Sequence, residues 1–291
     1  MKKFPRTLAV LKVLCYNEDM EKFLTDLHTH TTFSHDGKNT PIEMLEGARE
    51  KGIAFYGVNE HFDYDYDLSL LSEAERRTLK NGDEGEYFHT LRHLQEDYGG
   101  VMNVAVGAEF GYSEKEEVQG RYASTYEKYR PDYVINSVHG QDGKDYARYT
   151  FTQDKTKTYG EYLRLVRRSL DAPYPYDIVG HVGYIVRYAP FADARLSLAE
   201  FGERIDDILL TIVRKRKILE VNTAIAEGTL PTRELVKRYF ELGGRKVSYG
   251  SDAHKRERIG DKREEATAML REIGFTCLTV PFRGEHIEVK L

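Results

Sequence analysis

Tryptophan is missing from the sequence, and only two of its 291 residues are cysteine, Cys15 and Cys277. Two thiols cannot build a disulfide framework, so a reducing compartment, the cytoplasm, is expected. Proline is sparse, at eight residues, and no Pro/Gly/Ser-rich linker or fixed-period repeat interrupts the chain. Collagen-like, low-complexity and solenoid classes are thereby excluded. No apolar run is long enough to span a membrane. The longest near the N-terminus, Leu8 to Cys15, is broken by Lys12 and lacks a small-residue cleavage site, so Met1-Lys2-Lys3 reads as an ordinary start. Excess charge is also lacking: 43 Lys+Arg against 48 Asp+Glu leaves −5. A dedicated nucleic-acid binder would carry a basic surplus, so neither nucleic acid nor membrane is expected as a partner. A small phosphorylated metabolite needs only a few local cations.

What is present suits a large soluble core. The chain is 40% hydrophobic and 31% charged, with 21 Tyr and 13 Phe in place of tryptophan, and aromatic weight of that kind normally serves packing. Seven short apolar runs recur, each ending in polar residues. Phe23–Leu27 runs into His28, Ala54–Val58 into Glu60-His61, and Val104–Ala108 into Glu109. Tyr133–Val138 runs into His139, Ile178–Gly180 into His181, Ile218–Val221 into Asn222-Thr223, and Lys246–Ser251 into Asp252 and His254. Short continuous apolar runs are the mark of buried parallel strands. Helical patterns lie between them: 41–48 after the capping residue Thr40, 86–98 before Gly99-Gly100, and then 159–170, 198–213 and 232–242. Strand–helix alternation of this length implies a (β/α) barrel or a large doubly wound sheet. Six of the seven runs deliver His, Asp or Glu at their C-terminal ends, and only a barrel brings so many strand ends to one mouth. The expected fold is therefore α/β, a TIM-like barrel with its site at the C-terminal ends of the strands.

Nine residues stand out at those ends: His28, His30, Asp36, His61, Glu109, His139, His181, Asp252 and His254. His28-x-His30 and Asp252-x-His254 are period-two pairs, which an extended backbone projects to one side. Imidazole and carboxylate together suit Zn²⁺, Mn²⁺ or Fe²⁺. Nine donors exceed the needs of one ion and match two or three, with Glu109 the natural bridge. Taken singly, each has an ordinary reading, a loop histidine with one hydrogen bond or a surface carboxylate. Repetition separates the set from that background, since six of the ten histidines fall at predicted strand ends. His35, His89, His93 and His286 do not; His35 competes with Asp36 for its role, and His89 and His93 read as helix-surface or packing residues.

The ordered motifs resemble a known family. Asp26-Leu27-His28-Thr29-His30, Asp36-Gly37, Glu60-His61, Gly107-Ala108-Glu109, Asn136-Ser137-Val138-His139, Gly180-His181 and Gly250-Ser251-Asp252-Ala253-His254 are similar to those of the polymerase and histidinol phosphatase (PHP) superfamily. The resemblance covers about residues 23–260, leaves 1–22 as an N-terminal extension, and treats 1–291 as a single barrel domain. It implies a distorted (β/α)7 barrel, a trinuclear metal site and phosphoester hydrolysis. Within the superfamily the chain most resembles the histidinol-phosphate phosphatase branch, through Glu86-Tyr87-Phe88, Gly180-His181 with Val186-Arg187-Tyr188, and Leu242-Gly243-Gly244. The resemblance further implies one ion on His28, His30, Glu109 and Asp252, a second on Glu109, His139 and His181, and a third on Asp36, His61 and His254. Two departures are visible. Asp36 stands where relatives often have His, and Ala224–Thr229 stands where that branch commonly supplies an arginine for phosphate.

These readings set the expected chemistry: a hydroxide between two divalent ions attacks a phosphate monoester. Asp252 or His254 protonates the leaving oxygen. Arg187, six residues past His181, is the first choice for holding phosphate, with a surface salt bridge as its ordinary reading. Arg233, Arg256 and Arg258 are further choices. Asp63, Asp65 and Asp67, just beyond His61, are expected either to pair with a substrate amine or to sit in a solvated loop. The leading substrate is L-histidinol phosphate, of histidine biosynthesis. Rival readings are a phosphatase for another small metabolite, a phosphodiesterase or exonuclease, and a metal-stabilised barrel without activity.

Overall fold

The computed structural model describes residues 24–66, 69, 72, 73 and 83–291. The N-terminal extension, Cys15 and Asp67 lie outside them. Seven parallel strands form one sheet in sequential order: β1 (Leu24–Asp26), β2 (Ile53–Phe62), β3 (Asn103–Gly111), β4 (Tyr133–Ser137), β7 (Ile178–Val179), β8 (Ile218–Asn222) and β9 (Val247–Gly250). A two-residue hairpin, β5 (Gly140–Gln141) and β6 (Lys144–Asp145), sits directly after His139. The seven predicted runs are these seven strands. The seam between first and last strands is stitched at and beyond their C-terminal ends, where Leu27 N–H donates to Tyr249 O (3.1 Å), Asp252 N–H to His28 O (2.7 Å) and His30 N–H to Ala253 O (2.9 Å). The sheet thus closes into a (β/α)7 barrel.

Helices cover the outside: α1 (Pro41–Glu50), α2 (Glu84–Tyr98), α3 (Glu116–Tyr129), α4 (Lys155–Ser169), α5 (Leu198–Arg214), α6 (Arg233–Glu241) and α7 (Arg263–Ile273). The start of α1 follows from its sequence. Thr40 accepts from the Glu43 N–H, Glu43 reaches back to the Thr40 N–H, and Pro41 occupies the first turn. Asp83 and Asp154 cap α2 and α4 by accepting the Gly85 and Lys157 N–H groups, three and five residues before the predicted starts.

Strand alternation sorts side chains between two cores. On β3, Val104, Val106, Ala108 and Phe110 join the large core under the helices, while Ala105 turns into the barrel. On β8, Leu219 and Val221 face outward and Ile218 inward. Tyr133, Ile178 and Ile218 are the first residues of their strands, so the inner cluster lies at the N-terminal end of the barrel. A final antiparallel hairpin, β10 (Cys277–Phe282) and β11 (Glu285–Lys290), adds Val280 and Val289 to that cluster and forms the barrel floor. The C-terminal strand ends stay clear for the site.

Candidate metal centre

The inward positions at the upper end of the barrel carry polar groups. Glu109 continues the inward row of β3 after Ala105 and Gly107, and Glu220 continues that of β8 after Ile218. Asp252 follows β9 with φ +53°, a left-handed conformation that aspartate tolerates better than most residues. It re-aims the carboxylate toward the barrel axis.

All nine donors expected from the sequence meet here, with Glu109 at the centre. His28 Nε2 lies 3.3 Å from Glu109 Oε2, and His30 Nε2 lies 3.3 Å from Asp252 Oδ1. The other Glu109 oxygen has His139 Nε2 and His181 Nε2 each at 2.9 Å. His61 faces two ways, with Nδ1 2.8 Å from Glu109 Oε2 and Nε2 3.7 Å from Asp36 Oδ1. His254 Nε2 lies 3.1 Å from Asp36 Oδ2 and 3.3 Å from His61 Nε2. His35 stands behind this group, its ring 5.8 Å from that of His61. His89 and His93 lie together on α2, with His286 on β11.

The donor set fits divalent cations by a test internal to the structure. Four imidazoles donate their Nδ1–H outward: His28 to Glu220 Oε1 (2.6 Å), His30 to Ser34 Oγ (3.2 Å), His139 to Asp63 Oδ1 (2.8 Å) and His254 to the Asp252 carbonyl (3.0 Å). That tautomer leaves the Nε2 lone pairs pointing inward. Buried His28 Nε2, His30 Nε2, His61 Nδ1, Asp36 Oδ1 and Glu109 Oε2 have no hydrogen-bond partner, a state that is costly unless something of opposite charge completes it. Four triads of donor atoms lie within 4.8 Å of one another: His28/His30/Glu109, His28/His181/Asp252, His61/Glu109/His139 and His30/His61/His254.

Electrostatics tell the same story. Burial alone would raise the Glu109 carboxyl, but His139, His28 and His61 hold it well below the usual carboxylate range. Burial would lower the His28 imidazole, yet Glu220, Glu109 and Asp252 raise it well above its ordinary value. His30 goes the other way, pulled down by burial and by the neighbouring His61 and His254. Bound cations would take the place of these protons, so metal uptake releases acid.

Sequence reasoning missed the residues that hold the ligands. Glu220 supports His28 with one oxygen and accepts the His181 backbone N–H with the other (2.6 Å). Gly250 makes room for this pair, since a Cβ there would collide with Glu220 Oε1 and stand 2.6 Å from His28 Cβ. Ser34 passes the hydrogen bond of His30 on to Glu60 (2.5 Å), whose carboxyl burial pushes up to about 7. The inward register of Glu220 on β8 was the one available signal.

The centre opens into a cavity of about 800 Å³ whose wall includes Arg187, Tyr184, Tyr188 and Arg258. Arg187 is fixed by the Ala224 carbonyl and by Asp252 Oδ2 (3.5 Å). Arg233 and Arg256 fall away as phosphate contacts, because Arg233 pairs with Glu272 (2.7 Å) and Arg256 with Glu50, both outside the cavity. The expected acidic partners of a substrate amine are also elsewhere. Asp63 is spent on His139, and Asp65 is ion-paired with Lys115 and accepts from Ser113.

The profile of the PHP domain family matches residues 26–224. A probable histidinol-phosphatase of Clostridium acetobutylicum is 29% identical over 245 residues, covering 81% of this chain and 88% of that protein. The histidinol-phosphatase of Lactococcus lactis subsp. lactis is 25% identical over 278 residues, covering 90% and 96%. The crystal structure of a histidinol phosphate phosphatase from the same organism, complexed with zinc, L-histidinol and phosphate, superposes with a TM-score of 0.79 at 23% identity. It covers 91% of this chain and 98% of that one. No helix among the described residues is long and apolar enough to cross a membrane.

Proposed function

The chain belongs to the PHP domain family, and on that premise we propose that it is a metal-dependent phosphoric monoester hydrolase acting on L-histidinol phosphate in histidine biosynthesis. The observation that carries the reading is the convergence of nine buried or half-buried donors around Glu109, six of which (Asp36, His61, His139, His181, Asp252 and His254) line a cavity that Arg187 also lines. Relatives matching most of this chain bear the name histidinol-phosphatase, which supports the substrate.

In this reading His28, His30, Glu109 and Asp252 hold one ion, Glu109, His139 and His181 a second, and Asp36, His61 and His254 a third; the ions are Zn²⁺, Mn²⁺ or Fe²⁺, two or three in number. When bound, such cations lower the pKa of water and offset charge on the phosphoryl oxygens. The chain's own residues do the rest. Arg187 presents its guanidinium to the phosphate, a charged fork matched to two oxygens. His254 has Nε2 in the donor cluster and Nδ1 on the Asp252 carbonyl, so it has no free atom for the leaving group. Asp252 Oδ2 instead accepts from Arg187 and Asn222, contacts that keep the carboxylate ionised; in this reading it would take a proton from the attacking water and hand it to the departing alkoxide. The neighbouring tyrosines, Tyr184 and Tyr188, wall the cavity beside Arg187.

We read residues 1–291 as one barrel domain working in the cytoplasm on a small phosphorylated metabolite. The test is a phosphatase panel with added Mn²⁺ or Zn²⁺, comparing L-histidinol phosphate with nucleotides, sugar phosphates and diesters. Highest kcat/KM on L-histidinol phosphate supports the reading. A clear preference for nucleotides or diesters sinks the substrate and leaves a metal hydrolase.

A further inference from the structure

Outside the donor cluster, the cavity wall carries positive charge and, among the described residues, no carboxylate. Lys38, Arg187, Lys255 and Arg258 line it, and the acidic residues among its described lining, Asp36 and Asp252, belong to the cluster itself. Lys38 and Lys255 come from two loops that are sewn together. The Lys38 N–H donates to the His254 carbonyl (2.8 Å), and the Arg256 N–H donates to Asn39 Oδ1 (3.0 Å). Both lysines are exposed, and among the described residues neither ammonium has a carboxylate within ion-pair distance. Arg258 is answered by Asp261 at 2.6 Å, and Arg187 is held against Ala224 and Asp252.

Exposed lysines ordinarily serve solubility. What separates these two is their place, on one wall of a cavity whose acidic groups are all committed to the cluster. Walls of one sign raise the local concentration of the opposite ion. One phosphate bound at the cluster is matched by Arg187, which leaves Lys38 and Lys255 without an anion.

We propose that Lys38 and Lys255 form a second anion subsite at the mouth, and that the chain also hydrolyses phosphate monoesters whose leaving group itself carries an anionic group. This rests on the phosphomonoester reading of the same site and adds a substrate class to it. The chemistry is unchanged: the phosphorus–oxygen bond to the leaving group breaks, one to the water oxygen forms, and the proton of water ends on the leaving oxygen. No oxidant or second reactant is needed.

The inference is tested first by binding, independently of turnover. Calorimetry on the metal-loaded protein would compare three non-hydrolysable probes of matched size: carboxyethylphosphonate, propylphosphonate and aminoethylphosphonate. The expected order is carboxyl tightest and amine weakest, with about tenfold between the extremes. In Lys38→Gln/Lys255→Gln that ratio falls toward one, as it does in the unaltered protein at rising salt. Because both side chains are exposed, an unchanged unfolding midpoint shows that the double variant is folded. Hydrolysis is then compared for phosphoglycerate, glycerol phosphate and phosphoethanolamine, with the same order expected in kcat/KM. Equal affinities, tighter binding of the amine, or an unaltered ratio in the double variant overturns the subsite; absence of phosphoglycerate hydrolysis overturns the activity. L-Histidinol phosphate is assayed alongside, so that loss of the substrate reading, with the phosphonate order intact, is seen as a separate failure.

Discussion

Glu220 Oε1 lies 2.6 Å from His28 Nδ1, and the same carboxylate receives the His181 N–H on its other oxygen. One buried side chain therefore sets the tautomer of one proposed ligand and the backbone position of another. Glu220→Gln keeps the size and loses the charge, and partners of this kind are worth roughly 10- to 100-fold in metal affinity. A competition titration with a zinc chelator is expected to show that loss, and excess metal to restore turnover. Wild-type metal affinity in the variant would refute the positioning role.

Glu109 and Asp36 differ in how many donors they face. Glu109 faces His28, His30, His61, His139 and His181 within ion-pair distance, whereas Asp36 faces His61 and His254. Glu109→Gln is expected to lower kcat/KM by roughly a hundredfold or more, and Asp36→Asn by roughly tenfold. Elemental analysis should show more than one ion per chain in the wild type, with the larger loss in Glu109→Gln. Equal, small losses would remove the bridging role.

Arg187→Ala is expected to raise KM for a phosphate ester roughly 10- to 100-fold, the worth of a hydrogen bond to a charged group. Since Arg187 also touches Asp252 Oδ2, metal content is measured in the same samples and is expected to hold. Arg187→Lys should restore only part of the loss, because an ammonium lacks the planar fork.

Asp26 provides a pH test away from catalysis. Its carboxylate accepts from the Ser251 and Gly260 N–H groups at 2.9 and 2.8 Å, and burial pushes it up to about 6 from an ordinary 3.8. A raised carboxyl stabilises the fold below its unfolded value, and the contribution is lost as pH climbs through the folded one. In metal-free protein, the deficit of Asp26→Asn relative to wild type should shrink by at most about 3 kcal/mol between about pH 4 and about pH 7. Urea midpoints at both ends of that window measure it; a deficit that grows with pH contradicts the sign.

Much of the barrel was legible because each strand announces itself twice, by an apolar run and by the polar residue that ends it. Val104–Ala108 before Glu109 is an example, and β3 is found there. Elements stabilised by other means were not read. The α3 helix buries only Val118, Tyr122 and Thr125, a stripe too polar to register as amphipathic, and the β10–β11 hairpin lies past the motif-bearing segment. Glu220 looked like a charge within an apolar run because its partner His28 is 192 residues away. The sequence named all nine donors but only part of the cavity wall. Arg233 and Arg256 were drawn off by Glu272 and Glu50, and such pairings depend on loop and helix placement rather than on spacing.

The seam between β1 and β9 has a consequence for a chain emerging from the ribosome. The Asp26–Ser251 hydrogen bond closes 225 residues of sequence, and the floor strands β10 and β11 follow every strand of the barrel. A nascent fragment ending before β9 exposes His28 and His30 without Asp252 or His254, and so offers an incomplete donor set. Closure of so long a loop comes late, so the triads that need Asp252 or His254 would form after those of His28, His30, His61, Glu109 and His139. The full set of nine donors would therefore first exist when β9 and the loop after it have joined the sheet, one hairpin before the chain is finished.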